Sequence, residues 1–237
     1  MAHSPASPRL QARFAGACYV LIIILGAYAE LVGRQGLVVA GNPAATLRAI
    51  GAHADQYRLG FMAEMITNML AIPPTVILWR LLRPTGPTLA LTALVFDLTQ
   101  NTVNALNAWA QYAPLTLLPG SADGGALTPD QLAALARLTL RWHDVGFQIG
   151  LSFFSVALLL EGYLVLRSGY FPRWLGAVFM VAGLGYLVAA TDYFLGLRLS
   201  LFGAPQLASL FGESAMALWL LIVGVNEAKW RAADRQA

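Results

Sequence analysis

The stretch from Ala90 to Tyr112 is apolar enough to lie in hydrocarbon, yet it carries Asp97, Gln100, Asn101, Asn104 and Asn107. At about 100° per residue these five fall within an arc of about 120° on one helix face. Facing lipid, a carboxylate and four carboxamides would each lack a hydrogen-bond partner, so other helices have to close around that face or enclose water with it. The expected fold is therefore an all-α polytopic transmembrane bundle built around a polar seam.

The remaining chain suits that role. Of its 237 residues 58% are hydrophobic and only 11% charged, against about 25% charged in soluble domains, and the mean hydropathy is +0.62. A membrane crossing takes about 20 apolar residues. The apolar runs predict six spans, near 14–31, 59–82, 88–112, 141–166, 172–196 and 210–225, in a single integral membrane domain covering 1–237. Short extracytoplasmic surface helices are expected before spans two and four. Ala44 to Tyr57 follows a break at Gly41, Asn42 and Pro43, and Thr128-Pro129-Asp130 starts a helix that continues into span four. Pro73-Pro74 frees backbone carbonyls in mid-span and is expected to kink the second span. The loop with Gly120, Gly124 and Gly125 is expected to be mobile, and Gly203 and Pro205 mark the loop before span six. Ala27-Tyr28-Ala29 has the pattern of a signal-peptide cleavage site, but the apolar run is as long as a full span, which favours an uncleaved helix. Arginine-bearing turns after spans two and four suggest helical hairpins repeated in parallel.

The net charge of +3 and isoelectric point near 9.2 do not mark a nucleic-acid binder, because no basic patch interleaves with aromatic residues. The basic side chains sit singly at span ends, and Lys229 is the only lysine. Nine of them fall with the N-terminus, the turns after spans two and four and the tail, against six on the other side. Both termini are therefore predicted to be cytoplasmic. Cys18, the only cysteine, leaves neither an internal disulfide nor a thiolate metal site within one chain.

That orientation turns scattered residues into a location. Glu30, Glu64, Asn101, Asn104, Asn107, Asp144, Gln148, Asp192 and Glu213 fall in the outer leaflet, and Asp97 lies near the midplane. They predict an outward-facing polar, acidic cavity, with ligand contacts from Asp97, Glu64, Asp144, Glu213, Asn101, Asn104, Gln148, Asn68, Arg58 and Arg141. On span four, Arg141, Asp144, Gln148, Ser152 and Ser155 occupy an arc of about 80°, with His143 and Glu161 on the other side. Excess acid suits a cationic ligand, a metal ion or proton uptake. The leading expectation is binding or transport of a small polar, cationic or lipid-headgroup ligand. One alternative is an intramembrane hydrolase using the same carboxylates on lipid, metal-assisted or not. The other is a non-catalytic scaffold whose amides join helices.

No H-E-x-x-H motif is present, His53 lies on a surface segment, and His143 lies off the seam, so no metal is expected. Ser152 and Ser155 have no histidine on their face, and no glycine-rich phosphate loop precedes a helix, so no cofactor is expected either. The expected partners are the lipid bilayer and a small-molecule or lipid ligand.

Two stretches carry a family resemblance: Arg167-Ser168-Gly169-Tyr170-Phe171-Pro172-Arg173-Trp174-Leu175-Gly176, and Gly212-Glu213 followed by Leu218-Trp219-Leu220-Leu221 and Gly224. They resemble the bacterial six-span proteins labelled domain of unknown function 4386, and Arg13, Gly16 and Tyr19 fit as well. The resemblance covers nearly the whole chain. It implies a multi-pass protein of the bacterial cytoplasmic (inner) membrane and supplies no activity or catalytic residue. Physically, the turn reads as topogenic: Arg167 and Arg173 hold it in the cytoplasm, Gly169 ends one helix, and Pro172 begins the next. Tyr170, Phe171 and Trp174 suit the membrane interface. Glu213, an acid at a helix start, gains from the helix dipole.

Overall fold

Backbone polarity in apolar segments of this length is satisfied most simply by helix formation, and a computed structural model of the chain is helical in each of its elements. It describes residues 7–118, 127–199 and 204–236, with side chains from 207 onward in the last of these. Gly120, Gly124, Gly125 and Gly203 lie outside the described residues. The α-helices are α1 (Pro8–Ala27), α2 (Pro43–Ala52), α3 (Ala54–Leu82), α4 (Pro87–Thr116), α5 (Pro129–Ser168), α6 (Arg173–Leu195), α7 (Ala204–Ile222) and α8 (Glu227–Asp234). A π-helical segment, Tyr28–Arg34, and a short 3-10 turn, Gln35–Leu37, extend α1.

Among the described residues, four helical stretches are long and apolar enough to cross a membrane: Pro8–Leu37, Ala54–Leu82, Pro129–Ser168 and Arg173–Leu195. Leu207–Ile222 and Glu227–Asp234, bent by 97° to one another, add a fifth only if the pair is counted as one span. The 30-residue α4 is not among them, because Asp97 and its amides dilute its hydropathy. Large apolar side chains such as Ile24, Val95 and Leu184 stand exposed on these helices, an arrangement suited to lipid and not to water. The chain is a membrane protein.

Local chemistry sets the helix boundaries. Thr128 and Gln131 form a reciprocal capping box at the start of the 40-residue α5, which is about 60 Å long. Asn42 caps α2 by accepting from the Ala45 N–H, with Pro43 in the first turn. The helix expected over Ala44–Tyr57 is thus divided between α2 and the first turn of α3. Pro73 and Pro74 lie inside α3, which stays one helix through them.

The chain divides into two compact units. The first comprises residues 1–21, 70–101 and 148–237, and the second 22–69 and 102–147. Helices α1, α3, α4 and α5 contribute residues to both.

In the first unit helices meet through small residues. A Cβ at Gly16 would fall 2.2 Å from the backbone nitrogen of Leu221, and one at Gly176 would fall 2.5 Å from the Gly162 carbonyl oxygen. Only glycine permits these approaches. Arg13 donates to the Ile222 carbonyl at 2.7 Å and Arg9 to the Val223 carbonyl at 3.3 Å, so α1 supplies donors to the carbonyl end of α7. The turn between α5 and α6 differs from expectation: Trp174 is exposed, but Tyr170 and Phe171 are buried. The reason lies in hydrogen bonding. The Tyr170 hydroxyl donates to the Leu81 carbonyl and meets the Thr85 hydroxyl, both at 2.7 Å, while its own carbonyl accepts from the Asn226 N–H. Burial pushes the Tyr170 phenol up to about 12, so it remains a donor at neutral pH. Gly169 ends α5 with φ of 71°, as its place in the sequence anticipates.

In the second unit α2 buries Thr46, Leu47 and Ile50. Leu47 joins Leu132, Ala133 and Ala136 of α5, and Ile50 joins Leu37, Tyr57, Leu115 and Leu140. The π-helical segment approaches α3 so closely that a Cβ at Gly33 would lie 2.5 Å from the Gly60 Cα.

Candidate functional site

Single π-helical turns recur at functional sites, and this one carries Glu30 and Arg34. Arg34 places Nη2 2.6 Å from Glu30 Oε1 and Nε 3.0 Å from Oε2, and its Nη1 lies 2.6 Å from Asp144 Oδ1. Its side chain is 13% exposed, against 39% for Glu30 and 45% for Asp144. The guanidinium is therefore desolvated and doubly paired, while its carboxylates still reach solvent. Gln35 also donates to Glu30.

A second layer of the same unit is drier. His143 and Gln111 are buried. Asn107 Nδ2 donates to the His143 carbonyl at 2.8 Å and lies 3.3 Å from its Nδ1. With Nδ1 accepting, the ring N–H sits on Nε2, which faces Glu64 Oε1 at 4.0 Å. Tyr57 donates to the Gln111 carbonyl. Glycine at position 146 makes room for Asn107, since a Cβ there would fall 2.1 Å from its Oδ1.

A pocket of about 260 Å³ opens beside Arg34. Arg137, Arg141 and Asp144 on successive turns of α5 form one wall, and loop 38–43 with Thr46 forms another. Arg137 and Arg141 are exposed and make no ion pair among the described residues. The lining thus offers three guanidiniums and one carboxylate. In the first unit, a groove of about 600 Å³ runs among Arg9, Tyr170, Trp219, Gly224, Asn226 and Lys229.

The first unit buries its acids differently. Asp97 is 4% and Glu161 2% exposed. Thr75 Oγ1 donates to Asp97 Oδ2 at 2.6 Å, and the Tyr186 hydroxyl donates to Glu213. Glu161 Oε2 is buried without a hydrogen-bond partner among the described residues. Tyr19 is buried within electrostatic reach of Glu161, Asp97 and Glu213.

The residues anticipated from sequence are distributed between these settings. Glu64, Asn68, Asn104, Asp144, Arg58 and Arg141 belong to the second unit, and Asp97, Asn101, Gln148 and Glu213 to the first. Asp144 holds Arg34, Arg141 lines the pocket, and Glu64 faces His143. Arg58 pairs with Asp55 at 2.9 Å on the surface. Asn68 is buried and Asn101 half-buried, while the side-chain oxygens of Asn104 and Gln148 are buried without hydrogen-bond partners among the described residues. Asp192 serves the loop after α6, accepting from the Leu199 N–H at 3.0 Å.

Sequence reasoning missed Arg34, which it counted only as a basic loop residue. The available signal was its place four residues after Glu30 at a span end. Glu161, also missed, lies off the span-four seam and gives no such signal. Among the described residues no three His, Cys, Asp or Glu side chains gather where they would hold a metal ion.

A protein-family model described as Domain of unknown function (DUF4386) matches residues 14–224. An uncharacterized protein of Archaeoglobus fulgidus is 38% identical over 76 residues, which is 32% of this chain and 44% of that protein. The chain thus spans less than half the length of this curated relative. No solved structure is significantly similar to the chain.

Proposed function

We propose that this chain, which belongs to the family described as Domain of unknown function (DUF4386), binds an anionic phosphate group in the pocket beside Arg34. The phosphate belongs to a lipid headgroup or to a small polar solute. In this reading the protein crosses the bacterial cytoplasmic membrane six times, through α1, α3, α4, α5, α6 and α7. Helices α2 and α8 lie on the surface, both termini are cytoplasmic, and the pocket opens outward.

One observation carries the reading: Arg137 and Arg141, a helical turn apart, line a pocket with no ion-pair partner for either among the described residues, while Glu30 and Asp144 hold Arg34 beside them. Two guanidiniums without a carboxylate partner among the described residues disfavour a free cation, whereas phosphate oxygens match their planar donors. Asp144 remains available to the ammonium of a zwitterionic headgroup. Arginines on the predicted outer side also run against the positive-inside tendency, and a ligand gives a reason to keep them there.

The test uses the purified protein in phosphatidylcholine nanodiscs containing phosphatidylglycerol, with retained lipid measured by native mass spectrometry. Replacing both Arg137→Ala and Arg141→Ala should lower phosphatidylglycerol retention at least about tenfold, the worth of one charge-assisted hydrogen bond. Competition by glycerol 3-phosphate identifies a soluble ligand, and its failure identifies a lipid. Unchanged retention in a folded double variant overturns the reading.

A further inference from the structure

The buried acids of the first unit lie outside the pocket lining. Two hydrogen-bonded pairs, Thr75 of α3 with Asp97 of α4 and Tyr186 of α6 with Glu213 of α7, lie within electrostatic reach of Tyr19 of α1, and Asp97 lies within electrostatic reach of Glu161 of α5. Among the described residues, the charged groups acting on Asp97, Glu161 and Glu213 include no arginine, lysine or histidine. Three carboxylates in such surroundings repel one another and lose hydration together, so the set is stable only with fewer negative charges than carboxyls.

Hydrogen bonding singles out one member. Asp97 receives the Thr75 hydroxyl and Glu213 the Tyr186 hydroxyl, so each has a donor suited to a charged oxygen. Glu161 is 2% exposed, has Asp97 as its electrostatic neighbour, and receives no donor at Oε2 from the described residues. A buried carboxyl oxygen without a donor is completed by a proton or by a cation. A purely structural side chain at this position would be better served by an amide or an alkyl group.

We propose that Glu161 and Asp97 together bind one exchangeable monovalent cation, a proton or a sodium ion, with Tyr19 and Glu213 beside it. The shared chemistry is a small cation held between carboxyl oxygens in a membrane helix bundle.

Infrared difference spectroscopy on the full chain in nanodiscs tests this by following the protonated-carboxyl band as pH or sodium is changed. Glu161→Gln should remove a titrating band, and Asp97→Asn should move its midpoint by about one pH unit or more. Loss of the band on adding sodium at fixed pH, but not on adding N-methylglucamine, identifies sodium. A response to pH alone identifies the proton. A band indifferent to both, or a midpoint that Asp97→Asn leaves in place in a folded variant, overturns the proposal. If Glu161→Gln does not fold, the sodium arm on the unaltered chain and the Asp97→Asn midpoint decide.

Discussion

The two units place acids in apolar helices and neutralise them in different ways. In the second unit Glu30 and Asp144 share Arg34 and keep contact with solvent. In the first, Asp97 and Glu161 are nearly sealed from solvent, and hydroxyl groups are the donors supplied to Asp97 and Glu213. Solvent access separates the two designs. Where water still reaches the acids, a guanidinium can share the burden of keeping them charged. Where it does not, bringing in an arginine would add its own desolvation, and hydroxyls with a bound cation are the cheaper solution.

This contrast predicts opposite responses to charge removal. Arg34→Leu leaves Glu30 and Asp144 without their common partner and should destabilise the protein by about 2–3 kcal/mol, less than a fully buried pair because both acids are partly exposed. Melting in detergent measures the loss, and adding Glu30→Gln with Asp144→Asn should recover most of it. Gly146→Ala should cost about 1–2 kcal/mol by pushing Asn107 off His143. The cost should shrink when Asn107 is also truncated to Ala. Asp97→Asn should stay within about 1 kcal/mol, since among the described residues no arginine or lysine loses a partner and the Thr75 hydroxyl can still donate to an amide oxygen. A large loss there would mean that the first unit depends on the ionised form of Asp97. Arg58→Ala should change the melt by no more than about 0.5 kcal/mol, because Arg58 and Asp55 are 55% and 95% exposed.

Helix positions were largely legible from sequence because lipid as a solvent dictates length and composition. Thr128-Pro129-Asp130 marked the start of α5, and Gly169 with Pro172 marked the following turn. The polar side chains were harder to group. A helical wheel treats a helix as having one environment, but α4 divides between the units after Asn101, and α5 divides after Phe147. The seam from Asp97 to Asn107 therefore contributes Asp97 to the hydroxyl-lined acids and Asn107 to His143. Likewise Glu161, off the seam that begins at Arg141, has Asp97 as its electrostatic neighbour. Arg34 looked topogenic because sequence spacing gives no sight of Asp144, 110 residues away.

Phosphatidylglycerol retention in nanodiscs, compared among the unaltered chain, the Arg137→Ala and Arg141→Ala double variant, and Arg58→Ala, bears most directly on the proposed pocket. The double variant should lose at least about tenfold while Arg58→Ala keeps the full signal, because only the former removes unpaired guanidiniums from the lining. Equal retention in all three, or equal loss in both variants, would contradict a specific phosphate site and reduce these arginines to general surface charge.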